Sequence, residues 1–289
     1  MKSAPKTIQI FLPSGDPHGI RSAEITTRIV QVFEVPRSLL KDFLEMPESN
    51  QVAVYFLISQ PSEGSEPKVY IGQTGDLRAR LASHNQKKEF WERALVLISR
   101  TNSLTQTHAL FLEWHCLQEV RKAGRYADEN GNSGSKPHTP APLEADCLEI
   151  FETGRTLLTS LGYPVFDAVG GATANTKAQE VFYLKVAGSD GRGIYTPEGF
   201  VVLKGSRGNR ANVPTFSEAN QRFRQRLLDS GVMRDDGDTI VFEKDHLFGS
   251  PSMAACALLG RTSNGWKEWK SEDGVTLHEL KRAGTETDE

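Results

Sequence analysis

The chain has 289 residues, is 38% hydrophobic and 25% charged, and carries a formal net charge of −3, which fits a soluble globular protein of one large or two ordinary domains. No apolar run approaches the roughly 20 residues needed to cross a bilayer. Cys116, Cys147 and Cys256 are odd in number and widely spaced, which argues against a disulfide framework and a cysteine-based zinc site.

The opening "MKSAPKTIQIF" has no apolar signal region, so no secretory signal is expected and a reducing cytoplasm is the expected location. Residues 6–34 alternate well enough for two strands, "TIQIFL" and "RIVQVFEV", around the turn "PSGDPHGI". "PRSLLKDFLEM" predicts a short helix with Pro36 in its first turn. "QVAVYFLIS" (51–59) reads as a buried strand, "QPSEGSEP" (60–67) as a loop and "KVYIG" (68–72) as the returning strand. A helix over 76–86 starts at Asp76, an N-cap residue type. "ALVLIS" (94–99) is a further strand, followed by a helix over 105–122.

Residues 123–142 are rich in Gly, Ser, Asn and Pro and read as a long loop. A helix over 143–161 ends at Gly162, and "DAVGGATANTKAQ" (167–179) marks the expected domain boundary. Beyond it the pattern predicts strands near 180–187 and 200–204, a helix over 217–229, a strand at 239–243, a short capped helix in "SPSMAACALLGR" and a last strand near 275–280. The tail "AGTETDE" is acidic and is expected to be disordered.

Two segments are locally basic. Residues 68–100 carry seven Lys/Arg against three Asp/Glu, and residues 200–234 carry seven against two. In a mildly acidic chain this points to localised anion contacts, although plain solvated faces give the same counts.

The stretch "KVYIGQTGDLRARLASH" (68–84) holds the densest chemistry. Arg80 and His84 are an i,i+4 pair on one helix face, beside an apolar stripe of Leu77 and Leu81. Strand alternation puts Tyr70 and Gly72 on a common face, and Gly72 leaves room for a side group or a phosphate to approach the backbone. On the helix over 105–122, Leu110, Trp114 and Leu117 form the expected apolar stripe, with Glu113 at its margin. A half-buried carboxylate needs a cation: either Arg80 in a static salt bridge, or a hard metal ion.

"AVYFLIS", then "VYIGQTGDLRARLASH", then a strand and "HALFLEW" together resemble the GIY-YIG nuclease family over residues 51–135. The resemblance implies an α+β fold: a central GIY-YIG domain (51–165) on a small three-stranded antiparallel sheet flanked by helices. Around it the sequence divides into an N-terminal β-rich extension (1–50), a separate mixed α+β C-terminal domain (175–282) and the acidic tail (283–289). Val54-Tyr55 matches the end of the first motif and Tyr70-Ile71-Gly72 the second. Arg80 matches the family's arginine, His84 a position where the family often has histidine, and Glu113 the metal-binding glutamate. The family's sheet commonly ends with an Asn beyond that helix, for which Asn130 and Asn132 are both candidates. Two departures are visible. Ala53 stands where the first motif has Gly, and fourteen residues separate Tyr55 from Tyr70. The extra length falls in a polar hairpin loop, where growth costs little.

The resemblance implies a divalent-metal-dependent DNA endonuclease. Glu113 would hold Mg²⁺ or Mn²⁺, and Arg80 would offer charge-assisted donors to the developing negative charge. Tyr55, helped by His84 or Tyr70, would take the proton of an attacking water, its pKa depressed by Arg80 and the metal. The alternative is a catalytically weak nucleic-acid-binding or scaffold protein that keeps the fold. The literal "GIY" at 193–195 is read as a decoy between Gly-rich turns.

Residues 179–280 resemble a domain of unknown function that recurs in bacterial proteins, often after a GIY-YIG domain. Lys204, Arg207 and Arg210 in "KGSRGNR" are candidate phosphate contacts. Arg261, Lys267 and Lys270 near Trp266 and Trp269 make a second candidate, with packed core as the competing reading of both tryptophans. The partners expected are DNA, no membrane, and a second copy or another protein through the C-terminal domain.

Overall fold

The computed structural model describes residues 5–59, 67–131, 134–170, 180–186 and 188–282. Most of the hairpin loop at 60–67, Asn132, most of the segment 167–179 and the acidic tail lie outside the described residues. The chain divides between Ala168 and Val169 into two compact units. Each unit is mixed α+β with its own sheet. Among the described residues no helix is long and apolar enough to cross a membrane.

The first unit contains β1 (Ile8–Phe11), β2 (Arg21–Ile25), β3 (Val30–Pro36), a 3-10 turn Arg37–Leu39, α1 (Leu40–Glu45), β4 (Ala53–Ile58), β5 (Lys68–Thr74), α2 (Leu77–Lys87), β6 (Arg93–Ser99), α3 (Gln106–Ala123), β7 (Ala127–Asp128) and α4 (Ala141–Ser160). Its sheet has seven strands in the order β1-β2-β3-β6-β4-β5-β7, not the three expected. β6, β4 and β5 form its antiparallel centre, and residues 8–36 add three strands beyond β6. β2 was hidden by its polarity. Arg21 stands opposite Glu34 on β3, and the two form an ion pair that lets a charged strand join the sheet.

β4 is buried along its whole length because both sheet faces are covered. Val54, Phe56 and Ile58 join the core beneath α3 and α4. Ala53, Tyr55 and Leu57 point the other way, into a core with α1 and α2. Asp76 caps α2 by accepting the Ala79 N–H at 3.0 Å. Thr105 and His108 close a reciprocal capping box at the start of α3, and Gly124, at φ 61°, ends that helix. The buried stripe of α3 runs through Ala109, Leu112, Cys116 and Val120. Of the expected stripe, Leu117 is buried and Trp114 packs against the core, while Leu110 is 40% exposed. Glu113 nevertheless stays beside the buried stripe, four residues after Ala109 and three before Cys116.

The second unit contains β8 (Val181–Val186), β9 (Ser189–Thr196), β10 (Gly199–Val202), β11 (Arg207–Asn209), α5 (Glu218–Asp229), β12 (Met233–Asp235), β13 (Thr239–Phe242), β14 (His246–Phe248), α6 (Pro251–Leu259), α7 (Gly265–Glu268) and α8 (Leu277–Lys281). Its strands run β12-β13-β11-β9-β10-β14, with β8 paired to β9. The expected strand near 275–280 is α8. Thr276 and Glu279 form a capping box there, which outweighs the β preference of Val275 and Thr276. "GIY" at 193–195 lies within β9 rather than between turns. Gly193 is a packing residue, because a Cβ there would overlap the Phe200 ring.

Candidate active site

Two strands and the helix packed on them bring the polar cluster together. Tyr55 on β4 is register partner to Gly72 on β5, and Tyr70 is partner to Leu57, so both phenols stand on the α2 face. Leu77 and Leu81 seat α2 on that face, which turns His84 inward and leaves Arg80 at the rim.

The Tyr55 hydroxyl is the hub. It lies 2.8 Å from His84 Nε2 and accepts from Arg80 Nε at 3.0 Å. Arg80 Nη2 reaches the Tyr70 hydroxyl at 3.5 Å. Tyr70 packs edge-on against His84 at 5.0 Å, and the Lys88 ammonium sits 4.1 Å from the centre of the Tyr70 ring. Lys88 did not stand out in the sequence. Its place one residue past the end of α2, on the side facing β5, is a tertiary fact.

Burial pushes the Tyr55 phenol above its ordinary value, and the opposing hydrogen bond from Arg80 does not compensate. This reverses the depression expected for Tyr55. Burial also lowers His84 to about 4, with help from Arg80, Lys88 and Lys87. The imidazole is therefore neutral at pH 7. A neutral His84 whose Nε2 accepts the Tyr55 O–H, with Tyr55 in turn accepting from Arg80, satisfies all three groups at once. The Tyr55 hydrogen bond holds Arg80 more firmly in its charged form.

The space above Gly72 belongs to Tyr55. A Cβ at residue 72 would overlap the Tyr55 hydroxyl and ring. The expected approach of a phosphate to this glycine is corrected accordingly: the phenol already fills that face.

Glu113 arrives from α3, the opposite layer, around the open edge of β5. That edge is satisfied in three successive ways. The Glu129 N–H donates to the Val69 carbonyl at 2.9 Å. The Asn130 amide then replaces a strand partner: its Oδ1 accepts the Ile71 N–H at 2.8 Å and its Nδ2 donates to the Ile71 carbonyl at 2.5 Å. Next along, the Glu113 carboxylate accepts from the Gln73 backbone N–H. Asn130, one of the two candidate asparagines, is thus tied to the second motif; Asn132 lies outside the described residues.

No Lys or Arg among the described residues forms an ion pair with Glu113, so a static salt bridge to Arg80 is not the answer to its burial. Burial raises its carboxyl, against the weaker opposing pulls of the Gln73 N–H and the Arg80 charge. No group of three or more His, Cys, Asp or Glu able to hold a metal occurs among the described residues. The donor set therefore does not suit a caged metal. It suits Mg²⁺, which takes one or two carboxylates and fills its other positions with water and phosphate oxygens.

The candidate contacts of the second unit fare differently. Arg207 is paired with Asp236 at 3.1 Å and Arg210 with Asp235 at 2.7 Å, so neither is a free phosphate donor. The Lys204 backbone N–H is held by Asp245 at 2.7 Å and its side chain is exposed. Trp269 is fully buried and donates from Nε1 to the Pro251 carbonyl at 3.0 Å. Trp266 is half-buried, between Tyr195 and the Arg282 guanidinium.

By fold, this is a mixed α+β protein of two sheets, with a polar cluster built around the β4–β5 hairpin. Residues 182–281 match the family model described as a domain of unknown function, DUF4357. That match lies in the second unit, and the resemblance of residues 51–135 to the nuclease family draws no support from it. No curated protein and no solved structure matches the chain.

Proposed function

We propose that the first unit is a divalent-metal-dependent endonuclease that hydrolyses DNA phosphodiester bonds. The observation that carries this reading is the hydrogen-bonded chain His84–Tyr55–Arg80–Tyr70, next to a half-buried carboxylate, Glu113, that forms no ion pair among the described residues. A structural cluster would be expected to neutralise that carboxylate internally. A phosphate-processing site would leave it for a cation.

Glu113 is the residue that would hold Mg²⁺ or Mn²⁺, which there supplies positive charge to a phosphate oxygen. Arg80, at the rim and fixed by Tyr55, offers its outward N–H groups to the negative charge that develops on phosphorus oxygens. Tyr55 is completely buried and kept neutral, so its role is to aim Arg80 and hold the His84 tautomer. Tyr70 is the half-exposed phenol, within reach of Arg80, that can exchange a proton with an attacking water. The proposed roles are thus Tyr70 for proton transfer, Arg80 for charge stabilisation, and Tyr55 and His84 for positioning.

The test is nicking of supercoiled plasmid with Mg²⁺, with Mn²⁺ and with chelator, beside Glu113→Ala and Arg80→Ala. Metal-dependent nicking lost in both variants is the expected result. Equal nicking by the wild type and Glu113→Ala would overturn the assignment.

A further inference from the structure

We infer that the solvent face of β8 in the second unit is a groove for single-stranded DNA, an inference that takes its choice of nucleic acid from the nuclease reading. The groove has a volume of about 490 Å³ and is lined by Tyr183, Lys185, Lys267, Lys270, Glu268 and Glu272 among others. It lies on the outer side of a strand whose alternate residues, Phe182 and Leu184, fill the core.

Tyr183 is its centre. The register places Arg192 directly opposite it on β9 and Lys270 opposite it on the other side, where the Tyr183 and Lys270 backbones exchange two hydrogen bonds at 2.7 and 2.9 Å. Register partners share a face, so Lys270 stands beside the ring, while Arg192 turns its guanidinium to the Lys204 carbonyl at 3.3 Å. Lys185, two residues along, holds its ammonium 5.5 Å from the centre of the Tyr183 ring.

Several other basic residues of the unit are neutralised. Arg207, Arg210, Arg234 and Arg261 all pair with carboxylates. Among the described residues, Lys185, Lys267 and Lys270 have no carboxylate within ion-pair distance, and Asp190 is the register partner of Lys185 on β9. Of the lining carboxylates, Glu268 is already taken by Arg261 at 2.9 Å. A partly accessible aromatic ring beside lysines that form no ion pair is an arrangement that can stack an unpaired base and follow its phosphates. A duplex keeps its bases stacked inside and cannot use the ring.

The test uses the full chain carrying Glu113→Gln, so that bound DNA is not cut. Anisotropy of a labelled single-stranded oligonucleotide and of the matching duplex is followed over a salt series. Tyr183→Leu is expected to weaken single-strand binding by about tenfold, within the range for losing one base-stacking contact. Lys185→Gln with Lys270→Gln should lower the salt slope by about 1.4, roughly 0.7 for each lost contact to a single strand. Melting curves confirm that the variants fold. Unchanged affinity and slope in the lysine variant would overturn the groove. Duplex binding that equals single-strand binding and ignores Tyr183→Leu would overturn the single-strand assignment. Failure of the nuclease reading is seen separately, as wild-type protein that binds through this groove but nicks nothing.

Discussion

The Tyr55 phenol lies across Gly72, its register partner on β5, and occupies the space a side chain there would need. The glycine of the second motif thus makes room for the tyrosine of the first, and that phenol in turn fixes Arg80 and His84. Gly72→Ala should drive the phenol out of a fully buried position. The expected cost is about 1–3 kcal/mol, the usual range for overpacking a core. Cleavage should fall further than stability does, because both hydrogen bonds to Tyr55 are lost with its position. Chemical denaturation and plasmid nicking on one preparation check this. A variant with wild-type stability and activity would show that the phenol has another place to go.

Glu113 presents the reverse case. Its burial without an ion pair opposes the charged form and raises its pKa, so the folded state binds this proton more tightly than the unfolded chain. Stability gained from that proton is present below the ordinary carboxyl value and is lost as pH rises through the raised value. Glu113→Gln removes the buried charge. The variant should melt above the wild type at pH 7 and show a smaller difference at acid pH. It should also be inactive, the usual trade between stability and a strained site. Mg²⁺ should raise the melting temperature of the wild type and leave that of Glu113→Gln unmoved.

Local rules exposed much of this site. The i,i+4 spacing put Arg80 and His84 on one face beside Leu77 and Leu81, and the structure keeps all four there. Strand alternation put Tyr70 and Gly72 together. What local rules cannot supply is register across a hairpin, so the meeting of Tyr55 with Gly72 was hidden behind a loop of unknown path. The same limit explains the second unit. Arg207 and Arg210 look like free cations in "KGSRGNR", and only the pairing of β11 with β13 brings Asp235 and Asp236 up to them. Tyr183 and Lys270 are far apart in the chain and meet only where their backbones pair. The sheet exceeds three strands because β1–β3 and β7 join its antiparallel centre; the charges of β2 are matched by Glu34 on β3 and by Arg100 after β6.

Acid should act on the site through His84. Its folded value, about 4, lies below the ordinary histidine value, so between about 6.5 and 4 the unfolded chain binds the proton and the folded chain does not. Stability is therefore full above pH 6.5 and falls as pH drops through that window. His246 in the second unit is also lowered to about 4 by burial, so the whole-protein curve contains both. The difference between wild type and His84→Gln isolates the first. The variant should be flatter between pH 6.5 and 4. Parallel curves would mean that His84 titrates normally in the folded protein.

Asn130 offers the most local test of how the site is held. Its amide satisfies both the N–H and the C=O of Ile71 where β7 has ended, so it stands in for one residue of an edge strand. Asn130→Ala leaves two backbone groups without a protein partner, at a cost of about 1–3 kcal/mol if water cannot replace the amide fully. Asn130→Asp keeps the acceptor and loses the donor, and should fall between the two. Because Ile71 sits between Tyr70 and Gly72, the loosened edge should reach the cluster. Hydrogen exchange at the Ile71 amide is expected to accelerate in both variants, more in the alanine, while exchange in the β8–β9 hairpin of the second unit stays unchanged. An Ile71 amide equally protected in wild type and Asn130→Ala would mean that Asn130 is not what closes this edge.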